Sequence, residues 1–127
     1  MSFEPIILTM NKEVEVLYVD DEINNLISFK ANFRYHCTIH IAQSTVEAEK
    51  ILENNANIRI IFCDHMMPNE LGIDCLNRIK TSFPAPVRIL LTAYADMDLL
   101  VDSINKGNIY RFIRKPWINE EILSSII

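Results

Sequence analysis

The stretch Ile58-Arg59-Ile60-Ile61-Phe62-Cys63 is apolar at every position but Arg59. A strand that is apolar on both alternating faces needs cover on both sides, as in a parallel sheet flanked by helices. The rest of the chain supplies that cover in alternation. Val14 to Val19 is a β-rich run, and Ile23 to Tyr35 has helical spacing, with apolar residues at 23, 26, 27 and 33. Cys37 to Ala42 reads as a second strand. Ser44 or Thr45 starts a helix reaching Glu53, and Ser44 with Glu47 has the form of a capping box. Leu71 to Thr81 is the helix after the central strand, closed by Pro84 and Pro86. Val87 to Leu91 is the fourth strand. Asp96 to Lys106 is a helix carrying Met97, Leu100, Val101 and Ile104, with Gly107 as its C-terminal cap. Ile109 to Ile113 is the fifth strand, and a fifth helix runs from Ile118. Residues 1–13, with Pro5, read as an N-terminal extension, and 14–127 as one domain. Five strands alternating with five helices predict right-handed βαβ units and a three-layer α/β sandwich with a parallel sheet.

Composition narrows the chemistry. Gly72 and Gly107 are the only glycines, too few for a dinucleotide-binding turn or a phosphate-binding loop. Hairpin-rich all-β folds are disfavoured for the same reason. The net charge is −5, so the chain as a whole has no basic footprint and predicts no direct nucleic-acid binding. No apolar run approaches the ~18 residues of a membrane span. Cys37, Cys63 and Cys75 follow no metal-ligand spacing and read as reduced, buried thiols of a cytoplasmic protein. His36 and His40 lie on a strand without the context of a zinc motif.

Ligands of such sheets bind beyond the C-terminal ends of the strands. Asp20 and Asp21 follow the first strand, Asp64 the third, Thr92 the fourth and Lys115 the fifth. All five therefore converge on one edge of the sheet. Three carboxylates in one concavity repel, and a divalent cation relieves that repulsion. Mg²⁺ suits an all-oxygen set and bridges carboxylate to phosphate. Each residue also has a plainer reading. Asp20 or Asp21 caps the first helix, Asp64 is a turn residue before Met66-Met67-Pro68, Thr92 is an N-cap, Lys115 is a solvated charge, and His65 is a bystander.

Taken together, Val19-Asp20-Asp21-Glu22, Asp64-His65-Met66-Met67-Pro68, Leu91-Thr92-Ala93 and Lys115-Pro116 resemble the signature of response-regulator receiver domains. Gly72 and Gly107 also fall where that family usually has glycine. The resemblance covers residues 14–127. It implies a flavodoxin-like sheet in order 2-1-3-4-5 and phosphorylation of Asp64 by a sensor histidine kinase or phosphotransfer protein. It implies Mg²⁺ held by Asp21 and Asp64, by Asp20 through water, and by the backbone carbonyl of Met66. It assigns Thr92 and Lys115 to the phosphoryl oxygens and Phe112 to a switch that turns inward as Thr92 moves. It makes Lys115-Pro116 a cis peptide.

A receiver of this kind is a phosphoacceptor switch rather than an enzyme, read out through the fourth helix, fifth strand and fifth helix. Tyr110 is a second switch candidate, and Leu99 and Trp117 are candidates for a partner or homodimer surface. Met66 and Tyr94 flank the path of attacking water and predict a long-lived phosphorylated state. The chain ends inside its last helix, so an output domain in a longer chain is expected. The segment Ile109 to Trp117 resembles receivers with enzymatic outputs. Two alternatives remain open: a receiver-like module that is not phosphorylated, and a Mg²⁺-dependent aspartyl-phosphate phosphatase. The second lacks its usual DxDxT pattern, since the chain reads Asp20-Asp21-Glu22-Ile23-Asn24 there.

Overall fold

In the computed structural model, residues 14–93 and 97–126 are described. The elements are β1 (Glu15–Val19), α1 (Ile23–Phe33), β2 (Thr38–Ala42), α2 (Thr45–Asn54), β3 (Ile58–Asp64), α3 (Gly72–Ser82), β4 (Val87–Thr92), α4 (Met97–Asn105), β5 (Arg111–Arg114) and α5 (Asn119–Ile126). The five strands form one sheet in the order β2-β1-β3-β4-β5, and every pairing is parallel. The parallel, helix-flanked sheet is the one expected from the alternation, and its flavodoxin-like order is the one the resemblance implies. The extension at 1–13, Tyr94 and Asp96 lie outside the described residues.

Strand periodicity sorts the core into two layers. Val16, Tyr18, Ile60, Phe62, Ile89, Leu91 and Ile113 face α1 and α5, meeting Leu26, Phe29, Phe33, Ile122 and Ile126. Leu17, Val19, Ile61, Cys63 and Leu90 face α2, α3 and α4, meeting Ala48, Leu52, Ile73, Cys75, Leu76, Ile79 and Leu100. β3 sits at the centre, buried everywhere except at Arg59. The cysteines are free and buried, as expected.

Several boundaries and faces differ from the sequence reading. β5 begins at Arg111 rather than Ile109, because the Ile109 amide donates to the Ser103 carbonyl and so still closes α4. The Cys37 amide donates back to Phe33 and completes the end of α1, so β2 starts one residue later. Ile23 and Ile27 lie on the outer side of α1, which buries Leu26, Phe29 and Phe33 instead. Val101 is exposed although it shares the apolar spacing of Leu100 and Ile104. Ser44 is the N-cap of α2, its hydroxyl accepting from the Glu47 amide. The reciprocal half of the box is displaced, because the Glu47 carboxylate accepts from the Gln43 amide.

Arg88 fastens the lower edge of the sheet. Its guanidinium donates to the carbonyls of Pro84, Pro86, Gly107 and Asn108 at 2.9–3.1 Å. Lys80 Nζ adds a bond to the Lys106 carbonyl at 3.2 Å. The loop before β4 and the end of α4 are thereby tied together. Arg88→Ala is expected to cost about 2–4 kcal/mol, since several charge-assisted bonds vanish at once. Arg88→Lys keeps the charge but not the fork and is expected to recover less than half. Denaturant unfolding measures both, and a loss below about 1 kcal/mol for Arg88→Ala would contradict the clamp.

Candidate functional site

The upper edge of the sheet gathers the polar strand ends. Asp20 follows β1 and is fully buried, Asp64 ends β3 and is 6 % exposed, and Thr92 ends β4 and is 1 % exposed. Asp21 is half-buried beside them. One carboxylate oxygen from each of Asp20, Asp21 and Asp64 lies within 4.8 Å of the others. At an effective dielectric of 20, two charges so placed repel by roughly 3.5 kcal/mol. The all-oxygen donor set and the short span fit a small octahedral cation with its waters.

Lys115 reaches the cluster from the end of β5. Its Nζ donates to Asp64 Oδ1 in a short ion pair. Its own amide donates to the Thr92 carbonyl at 2.9 Å, which fixes where the side chain starts. The Lys115-Pro116 bond is cis, as the resemblance implied. Burial pushes the Asp64 carboxyl up from its ordinary value, Lys115 pulls it back, and Asp20 and Asp21 push it further up.

Asp20 is held by three donors. Tyr18 Oη donates to its Oδ2 at 2.5 Å, Asn25 Nδ2 donates to the same oxygen at 3.1 Å, and the Glu22 amide donates to Oδ1 at 3.0 Å. Burial and the neighbouring Asp20 charge push the Tyr18 phenol far above its usual value, so it stays a donor at any physiological pH. Tyr18 and Asn25 were missed in the sequence. The one available signal was parity, because Tyr18 stands two residues before Asp20 and so on the same face of β1.

Gly72 sets how closely α3 approaches. A Cβ there would stand 2.3 Å from the Asp64 carbonyl oxygen and 2.7 Å from His65 Cα. The Gly72 and Met67 amides both donate to the His65 carbonyl, folding the loop back over the end of β3. Met66 sits on that loop with its side chain exposed. His65 is buried, and its Nδ1 has no partner among the described residues. Burial lowers the His65 pKa.

The plainer readings fare unevenly. Thr92 is no N-cap, since it ends β4 and α4 begins at Met97. Lys115 is no solvated charge, since it is paired with Asp64. Asp20 does accept from the Glu22 amide, but Glu22 itself is the N-cap of α1. Phe112 is half-buried and packs on the α2–α3–α4 side, while Tyr110 is 66 % exposed. Leu99 is exposed. Trp117, a candidate for partner contact, is half-buried and packs against the α1–α5 core, its ring edge-on to Phe29 at 6.1 Å. His40 pairs with Glu15 at 2.8 Å across β1 and β2.

Comparison with known proteins places this geometry. The model of the response regulator receiver domain family matches residues 16–127. The hydrogenase transcriptional regulatory protein HoxA of Bradyrhizobium diazoefficiens is 28% identical over 117 residues, covering 92% of this chain and 24% of that protein. A cyclic di-GMP phosphodiesterase of Thermotoga maritima is 35% identical over 75 residues, covering 59% of this chain and 20% of that one. The chain thus spans about a quarter or less of the curated relatives it matches. The signal receiver domain of an HD domain-containing protein from Pseudomonas fluorescens superposes with a TM-score of 0.77 at 30% identity, covering 92% of this chain and 86% of that one. The relatives include both a transcriptional regulator and an enzyme, so the expectation of an enzymatic output gains no preference from them.

Proposed function

The chain belongs to the response regulator receiver domain family, and from that premise we propose that Asp64 accepts a phosphoryl group from a sensor histidine kinase or phosphotransfer protein. The observation that carries this reading is the Lys115 ammonium seated on Asp64 beside two further carboxylates. Asp20, Asp21 and Asp64, with the Met66 carbonyl, are the residues that would hold Mg²⁺. When bound, that ion neutralises the clustered charge and polarises the incoming phosphoryl oxygens.

The chain's own residues then divide the work. An Asp64 oxygen attacks phosphorus in line, the new O–P bond forms as the P–N bond to the donor imidazole breaks, and the imidazole leaves with the electron pair. Lys115 shifts from the carboxylate to a phosphoryl oxygen, where its charge offsets what develops in transfer. The Thr92 hydroxyl supplies another donor. Each new charge-assisted bond is worth about 1.5–3 kcal/mol. Inverting a 1:99 population needs about 5.5 kcal/mol, so phosphorylation biases a state the domain already samples. Phe112, opposite Leu90 in the register of β4 and β5, turns inward in that state and changes the α4–β5–α5 face seen by an output domain or a second copy.

The test is the intact mass after incubation with Mg²⁺ and acetyl phosphate. A single phosphoryl adduct that fails to form when EDTA is present throughout supports the proposal. Absence of an adduct both from acetyl phosphate and from a phosphorylated kinase favours the unphosphorylated interaction module. Continuous hydrolysis of a phosphate ester favours the phosphatase.

A pH dependence follows from Asp64. Its raised value means that protons compete for this oxygen at a higher pH than the 3.8 of an ordinary aspartate. Apparent Mg²⁺ affinity is therefore expected to fall with decreasing pH, starting above that value. Calorimetric titrations across pH 4–7 measure it, a range set by carboxylate titration. Affinity constant down to pH 4 would contradict the assignment of Asp64 as a ligand.

A further inference from the structure

Of the three clustered carboxylates, Asp20 is the most tightly fixed. Both of its oxygens are engaged, Oδ2 by Tyr18 and Asn25 and Oδ1 by the Glu22 amide. Two of those donors are local and come from the start of α1. Tyr18 alone approaches from the interior. Its ring is fully buried and stacks on Phe29 at 4.3 Å, so the hydroxyl is positioned by the core and not by solvent. A carboxylate whose oxygens are both committed cannot swing to bind a cation through both at once. Mg²⁺ keeps several waters and tolerates a ligand that acts through water, whereas Ca²⁺ takes more oxygens in flexible geometry, from carboxylates bound through one oxygen or both.

We propose that Tyr18 is a positioning residue for cation binding. Its hydroxyl clamps Asp20 from the core side and so biases the three-carboxylate cluster towards a small cation that keeps its waters. This rests on the reading of Asp20, Asp21 and Asp64 as the Mg²⁺ site. Tyr18→Phe removes one oxygen and preserves the ring against Phe29. Outer partners of metal ligands typically tune affinity 10–100-fold, so the variant is expected to bind Mg²⁺ about tenfold more weakly. Asn25 and the Glu22 amide still hold Asp20 in the variant, but without the core-side anchor the carboxylate can shift, which the flexible coordination of Ca²⁺ tolerates; Ca²⁺ affinity is therefore expected to change by less than about threefold.

Calorimetric titration of the 127-residue chain with MgCl₂ and, separately, CaCl₂ reads both constants. A drop in the Mg²⁺-to-Ca²⁺ preference supports the proposal. Equal weakening for both ions, or no change for either, overturns it. Phe33→Leu serves as the control, because it loosens the same core beyond Phe29 and leaves the stack of Tyr18 on Phe29, and the hydroxyl, in place. It is expected to lower the melting temperature with the preference unchanged, and an equal change of preference in this variant also overturns the proposal. If the wild-type chain binds no Mg²⁺, the cation-site reading itself falls and Tyr18 falls with it. If the wild type binds and Tyr18→Phe binds alike, only the role of Tyr18 is lost.

Discussion

Asp64→Asn is expected to abolish the phosphoryl adduct completely while leaving the domain folded. The neutral amide oxygen is a far weaker nucleophile than the carboxylate, and no other carboxylate of the cluster combines the end of β3 with the Lys115 contact. The same substitution removes a buried charge that repels two neighbours. Asp64 has a raised value in the folded chain, so folding favours its protonated form. That contribution to stability is fully present below the unfolded value and is lost as pH rises through the folded one. At neutral pH the ionised carboxylate is therefore a burden on the fold, although the Lys115 pair lessens it. Asp64→Asn is accordingly expected to melt no lower than the wild type at pH 7. Lys115, 24 % exposed at its side chain, can turn to water when its partner is gone. Intact mass and thermal unfolding on the same preparation check both halves. An adduct retained on the variant would move the phosphoacceptor elsewhere, and a sharply lower melting temperature would make Asp64 a structural anchor.

Gly72→Ala is expected to cost about 3 kcal/mol and to damage the site as well, a fall in melting temperature of roughly 10 °C. The added methyl meets the Asp64 carbonyl at 2.3 Å and His65 Cα at 2.7 Å, and backbone cannot fold aside as a side chain can. Relief requires α3 to retreat or the end of β3 to bend, and either shifts the Asp64 carboxylate from Lys115. Gly107 separates this effect from the general cost of losing a glycine. It has φ +73°, but among the described residues a Cβ there meets only Lys80 Nζ, at 3.6 Å. Gly107→Ala is expected to cost about 1–2 kcal/mol through left-handed backbone strain, with phosphorylation unchanged. Equal adduct formation in the two variants would show that the tight approach of α3 is irrelevant to the site.

The sheet and the strand ends were legible because each polar candidate lies within two residues of the end of an apolar run. A two-residue error in a strand boundary does not move a residue off the end of a parallel strand. That is why Thr92 and Lys115 stand beside the carboxylates even though β5 starts two residues later than its apolar pattern suggests. What escaped the sequence depends on side chains that serve two purposes. Tyr18 has the parity and bulk of a core residue and is one, yet its hydroxyl reaches Asp20. Arg88 reads as a polar interruption of a strand, while its four carbonyl partners come from loops on either side of the sheet edge. The outward turn of Ile23 and Ile27 was hidden because Phe29 completes a second apolar stripe on the same helix, and the larger ring takes the buried side.

Trp117 is the only tryptophan in the chain, and its place against the α1–α5 core makes the molecule its own optical gauge. The indole follows the Lys115-Pro116 bond and meets Phe29, which stacks on Tyr18, whose hydroxyl holds Asp20. One chromophore thus abuts the lysine arm of the site and, through two rings, its acidic arm. Light absorbed selectively by that indole samples both without any attached dye, so Mg²⁺ titrated into an unlabelled sample is expected to change the indole emission in real time.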